Sequence, residues 1–149
     1  MQSRRLPATL PNVVRYLVLL KVSGRANYID AIERYFVRIE SPSAIEEKLG
    51  IPKTVVKGVT QYVRELFRST GAPPSDERIK QVLEMVLPRI GAVNEAFSWC
   101  DASYVRCRIC GARVRFTDFE DHIRRCHSNV VDEIASEIVR DIVSEAMRK

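Results

Sequence analysis

All four cysteines and both histidines of the chain fall between residues 100 and 127. Cys107 and Cys110 form a C-x2-C pair. Eleven residues then intervene before His122, three more before Cys126, and His127 follows directly. Two thiols on a tight turn, followed by a helix carrying a histidine and a fourth donor, form the pattern a structural zinc ion requires, with Zn–S distances of about 2.3 Å. His122 and Cys126 are four residues apart, so a helix sets both on one face, one turn apart. His127 is also an allowed fourth ligand. Helical periodicity and the softness of thiolate favour Cys126. Cys100 lies outside this set and is expected to be a packed thiol. With four protein ligands the ion keeps no open position for a reacting water, and both histidines are claimed or contested by it. The chain has no phosphate-cradling Gly-rich loop, no nucleophile elbow and no H-E-x-x-H. Neither an enzyme nor a small-molecule substrate is expected.

From Tyr104 to Ser128 the sequence resembles a small ββα zinc finger of the Cys2His2 or Cys2His-Cys type. The resemblance rests on the CxxCG opening, the apolar Val114 and Phe119, and the run HIRRCH. The eleven-residue gap is one short of the usual Cys2His2 spacing. Together with the three-residue gap to Cys126 it is the spacing of Cys2His-Cys fingers, ubiquitin-binding ones among them, whereas HIRRxH reads as a Cys2His2 ending. The resemblance implies a short hairpin over Tyr104 to Phe116, bearing Arg106, Arg108, Arg113 and Arg115, and a helix starting near Thr117. Fingers that read DNA use the residues before and within the early helix. Here those are Thr117, Asp118, Glu120 and Asp121, which suit phosphate poorly. Arg113, Arg115, Arg124 and Arg125 offer a better backbone-binding surface. The acidic early helix also fits a protein partner for the finger, of ubiquitin-like, polymerase or ribosomal kind.

These side chains must be carried by helices. Pro11 suits the first turn of a helix reaching about Val22, apolar on most sides and therefore buried. Ile29, Ile32, Tyr35 or Phe36, and Ile39 recur at helical spacing in a second helix over about 27–39. Over residues 41 to 68 a Ser cap, Gly50 and Pro52 delimit two further helices. This stretch resembles a helix-turn-helix. With Gly50 as the turn glycine, the expected apolar sites fall on Ile45, Leu49, Ile51, Val56 and Val59. Glu46 departs from the pattern, which prefers Ala where the two helices meet, and this implies a wider crossing of the helices. The resemblance implies that the second helix enters a major groove, with Lys53, Thr54, Lys57 and Gln61 toward base edges and Arg64, then Arg68, on phosphates.

Gly71 to Pro74 marks a break. Ser75 then caps a long amphipathic helix with a stripe of Ile79, Val82, Leu83, Val86, Ile90, Val93 and Phe97, in which Pro88 is expected to produce a kink. Ser98 to Ser103 reads as a linker. After Asn129 another helix carries Val131, Ile134, Ile138 and Ile142 on one side. That stripe must cover the bundle or a second copy of itself, and a homodimer is the preferred reading because helix-turn-helix proteins commonly pair.

The fold class expected is mainly α: an N-terminal helical bundle over 1–98 containing a helix-turn-helix, a small ββα zinc finger over 104–128, and a C-terminal amphipathic helix over 129–149. The 149 residues are 46% apolar, enough for a real core, with a net charge of +5. Residues 1–70 carry 12 Lys/Arg against 6 Asp/Glu, and residues 104–129 carry 6 against 3, whereas the two remaining segments are each net acidic. Two separate basic blocks are what contact with phosphate would ask for. No signal peptide or membrane span is visible. Thiol–metal chemistry implies a reducing interior. The expected location is cytoplasmic and nucleoid-associated, or the host-cell interior if the chain is viral. The pairing of elements resembles in type the small DNA-binding regulators of archaea and their viruses. The function expected is that of a zinc-containing DNA-binding protein, a transcription regulator acting on double-stranded DNA.

Overall fold

The computed structural model describes residues 9–68 and 75–148. The Gly71-to-Pro74 break expected from the sequence lies outside the described residues. Among the described residues the chain is mainly helical, with seven α-helices and one three-stranded antiparallel sheet. No described helix is long and apolar enough to cross a membrane.

Helix α1, Leu10–Val22, starts on Pro11 and buries Leu10, Val13, Val14, Leu17, Val18, Leu19, Leu20 and Val22. An all-round apolar helix of this kind is the axis of a bundle. Its end is closed by the Ser23 hydroxyl, which donates to the Leu19 carbonyl, and by Arg25 N–H, which donates to the Leu20 carbonyl at 2.8 Å. Helix α2, Ala26–Phe36, places Ala31, Ile32 and Phe36 in the interior. It stops three residues short of the periodicity reading. Ile39 adopts φ 59° and is 70% exposed, so it leaves the expected stripe.

Helices α3, Pro42–Leu49, and α4, Lys53–Leu66, form a hairpin around Gly50. The Ser41 hydroxyl accepts the Ala44 N–H at 3.1 Å, and Gly50 takes the left-handed conformation (φ 73°) that glycine adopts without strain. Ile45, Ile51 and Val56 close with Ala31 into a small satellite core. Leu49 is half-buried beside it, and Val59 turns to the main core. Glu46 is exposed, so an acidic side chain is accommodated there without desolvation.

Helix α5, Asp76–Ile90, is capped by the Ser75 hydroxyl, and its stripe from Ile79 to Ile90 is buried. The helix passes through Pro88 and ends two residues later. The long helix read through Val93 to Phe97 is therefore corrected. Pro88 withdraws a backbone donor from the last turn, and the chain then turns into a strand. β1, Phe97–Trp99, pairs with β2, Tyr104–Cys107, and β2 with β3, Arg113–Arg115, so the expected linker at 98–103 is in part a third strand. Helix α6, Phe116–Cys126, follows β3 directly, one residue ahead of the start expected at Thr117, and Thr117 does not cap it.

Helix α7, Ser128–Met147, lays Val131, Ala135, Ile138 and Ile142 into the same core as α1 and meets α5 as well. Arg15 pairs with Asp132 at 3.0 Å, and Arg89 pairs with Glu145. The stripe invoked for a homodimer is thus covered within one chain. A single apolar cluster runs from Leu10 and Ile79 to Phe97, Val105, Cys107, Phe119, Ile123 and Ile142, so the sheet and α6 share the bundle's interior.

Candidate functional site

The turn between β2 and β3 carries the C-x2-C pair. Cys107 N–H donates to the Ala112 carbonyl at 2.8 Å, and Gly111 N–H donates to the Cys107 carbonyl at 2.8 Å, which folds the two thiols to one side. Cys107, the last residue of β2, is buried, and Cys110 is exposed. Helix α6 is anchored by Phe119 and Ile123, both fully buried, and this brings His122 over the turn. Its Nε2 lies 3.5 Å from the Cys110 sulfur.

The fourth position corrects the expectation from helical spacing. Donor atoms of Cys107, Cys110, His122 and His127 all lie within 4.8 Å of one another. Cys126 is not among them and is exposed. The reason is local. His127 sits between α6 and α7 with φ −133° and ψ 29°, outside helical conformation, so helical spacing does not fix where its ring points, and it reaches the cluster. The His122 and His127 rings stand 5.0 Å apart and nearly edge to face. A signal for this was present in the sequence, since Ser128 and Asn129 after His127 punctuate the end of one helix and the start of the next.

The residues fit a metal ion. His127 is 8% exposed, and its Nε2 is a buried polar atom with no hydrogen-bond partner among the described residues. Such an atom is costly unless something satisfies it. Tetrahedral coordination by two sulfurs and two nitrogens sets donors about 3.5 Å apart, so closure requires movement of about an ångström. Burial lowers the His122 pKa, and the neighbouring His127 adds to the effect, so the neutral, ligating imidazole is favoured. Burial pushes the Cys107 thiol up. The N–H groups of Cys110 and Ile109 act against burial, and the adjacent Cys110 sulfur reinforces it. A cation is what resolves two adjacent thiols, one of them buried. Cys100 is exposed, contrary to the packed thiol expected, because its strand-end position faces solvent at the open edge of the sheet.

The candidate nucleic-acid residues separate into two groups. Lys53, Thr54, Lys57 and Gln61 are all exposed along the first nine residues of α4. Gln61 donates to Glu65, and neither Lys53 nor Lys57 forms an ion pair among the described residues. Arg64 is differently placed. It spans Tyr35 and Asp76, donates to both, and lies 5.2 Å from the Tyr35 ring centroid. Its pKa is raised, first by Tyr35 and then by Asp76.

Comparison with protein-family models, curated proteins and solved structures gives no match.

The remaining arginines are also engaged. Arg124 pairs with Glu120 and Arg125 with Asp121, each one turn back along α6. Arg113 pairs with Asp101 at 2.9 Å, and Arg115 Nε donates to the Tyr104 hydroxyl at 3.2 Å. Arg68 pairs with Glu65. Surface pairs of this type are weak and exchange readily with a stronger anion. Trp99, for which the sequence supports no cofactor role, and Phe116 stand at the end of the sheet with rings 4.9 Å apart.

Proposed function

We propose that the chain is a zinc-holding DNA-binding protein, a transcription regulator in which α3 and α4 act as a helix-turn-helix and the segment from β2 to α6 as a zinc finger. The observation that carries this reading is the pair of exposed lysines, Lys53 and Lys57, on the leading turns of α4. They form no ion pair among the described residues, although five of the other candidate cations are ion-paired within the chain. The leading turns of the second helix are where groove-reading helices place their contacts. Thr54 and Gln61 share the exposed side of α4 and supply groups able to meet base edges.

Zinc is the ion that two thiolates and two imidazoles suit best. Cys107, Cys110, His122 and His127 would hold it, and with four protein donors it would act as a structural clamp. Its part would be to fix α6 against the sheet, and through the shared core to steady α1 and α7.

The test is duplex DNA binding by the zinc-loaded protein across a salt series. Lys53→Glu with Lys57→Glu should weaken binding strongly and reduce the slope of log affinity against log salt by about two units. Unchanged affinity in that variant would refute groove docking through α4. A second reading, in which α6 meets a protein partner, is favoured by the alternating ion pairs on its outer side, Glu120 with Arg124 and Asp121 with Arg125. Nuclease-resistant capture of a defined partner, lost on mutation of those four residues, would establish it.

A further inference from the structure

The chain leaves α2 through a backbone that does not suit the residue found there. Arg38 N–H donates to the Glu33 carbonyl at 3.2 Å, and Glu40 N–H donates to the Arg34 carbonyl at 2.9 Å. The Glu40 carboxylate meets Arg34 and Lys48, each at 3.4 Å. Between these fixed points Ile39 is held at φ 59°, and no other described residue except glycine has positive φ. Left-handed backbone after a helix suits glycine or asparagine, and a β-branched side chain is strained in it. The same side chain stands largely in water. Neither feature helps the isolated chain. Glycine would relax the backbone, and a polar side chain would meet water better. A residue unfavourable on both counts points to a contact made outside its own chain.

A groove begins two residues away. Ile29 and Val37 of α2, with Leu87 and Pro88 of α5, line a cavity of about 460 Å³, which Glu33 and Glu84 also border. Ile39 is not among the lining residues, so it does not fill the groove of its own chain. Glu33 and Glu84 form no ion pair among the described residues, and neither does Arg38, the exposed neighbour of Ile39. Lys21, a cation on the same border, is engaged by the Gly91 carbonyl. An apolar knob with a free cation beside it thus complements an apolar groove with two free carboxylates beside it. Both halves belong to one chain, and Val37 sets them next to each other. Two copies related by a two-fold axis would each insert Ile39 and each receive it, the reciprocal contact of an isologous dimer. The stripe on α7 takes no part, because it lies in the core with α1.

We infer that the chain forms a two-fold homodimer in which Ile39 of each copy fills the groove between α2 and α5 of the other, with Arg38 beside Glu33 and Glu84. The contact uses neither α4 nor the four clustered donors, so it stands or falls apart from the proposed function.

The experiment is sedimentation equilibrium of the full-length, zinc-loaded protein without nucleic acid, from about 1 μM to about 200 μM. A monomer–dimer equilibrium inside that range is expected. Ile39→Asn should weaken it at least about tenfold, as loss of a central apolar anchor does. In dilute, monomeric solution the same variant should melt about 2–4 °C above the parent, because asparagine tolerates the left-handed backbone. Arg38→Glu should also weaken pairing. Adding Glu33→Arg and Glu84→Arg to it should restore the dimer, since the attraction is then rebuilt with its signs exchanged. Circular dichroism checks that each variant keeps its helices. The inference is overturned by a monomer at every concentration, by a dimer that Ile39→Asn leaves as tight as the parent, or by charge exchange that fails to restore pairing. A lower melting temperature for Ile39→Asn would also overturn it, since Ile39 would then serve its own fold.

Discussion

The ring of Phe97 lies against the α-carbon of Gly24. A β-carbon at position 24 would stand 2.6 Å from Phe97 Cε1, closer than such atoms approach, and Gly24 also holds φ 83°. The sheet thus enters the bundle through a notch that only glycine leaves open. Nearby, Ala96 N–H donates to the Val22 carbonyl and Arg108 N–H donates to the Ala96 carbonyl, tying the strand to the end of α1 and to the C-x2-C turn. Gly24→Ala is expected to cost about 2–3 kcal/mol through the overlap and the strained backbone together. Urea unfolding of parent and variant checks this, and a change under about 0.5 kcal/mol would show that the notch can widen.

Substitution separates the two candidates for the fourth ligand. His127→Ala should reduce zinc affinity by at least about a hundredfold, more than loss of an outer-shell partner does, whereas Cys126→Ser should leave it nearly unchanged. Competition with a chromophoric chelator measures both. The visible spectrum of the cobalt-substituted protein gives the number of thiolates independently, two being expected.

Removal of a metal held by the four clustered donors should be felt well beyond them, because Cys107, Phe119 and Ile123 belong to the cluster that holds α1 and α7. Chelation at neutral pH is therefore expected to lower the midpoint of helix unfolding as well as to change Trp99 emission. A chelated protein with an unaltered helical transition would show the sheet and α6 to be energetically separate.

Arg64 should behave as a structural residue. It bridges α2 and α5 from α4 through Tyr35 and Asp76. Arg64→Ala is expected to lower stability by about 1 kcal/mol, discounted for its partial exposure. Thermal denaturation reads this directly, and the salt slope of duplex binding should change less than it does for either lysine.

The turn between β1 and β2 should weaken in acid. The Asp101 carboxylate accepts N–H groups from Ser103 and Tyr104, which hold its pKa below the ordinary carboxylate value, and Arg113 adds to this. A depressed folded pKa contributes stability that is present above the unfolded value of 3.8 and lost as pH falls through the folded one. Asp101→Asn keeps an acceptor and removes the titration. The parent should therefore lose its advantage over the variant as pH falls below about 4, as read from urea midpoints.

Much of this architecture could be read from residue spacing. Pro11, Ser41, Gly50, Ser75 and the apolar repeats mark α1, α3, α4 and α5 because capping and periodicity are local. Three of the four clustered donors were legible for the same reason, since a C-x2-C turn and a helical histidine are short-range patterns. Long-range choices were hidden. Phe97 continues the α5 stripe perfectly as a sequence, yet Pro88 and strand pairing with Cys107 take it into a sheet. His127 lost to Cys126 on helical geometry because the break between α6 and α7 is set by how α7 reaches α1. The stripe on α7 announced that it would be covered without saying by what.

That cover has a consequence for synthesis on the ribosome. α1 emerges more than a hundred residues ahead of α7, which packs along it. At roughly 5–20 residues per second, the greasy surface of α1 waits on the order of ten seconds for its partner. Over that interval the nascent chain is a natural client for a holding chaperone.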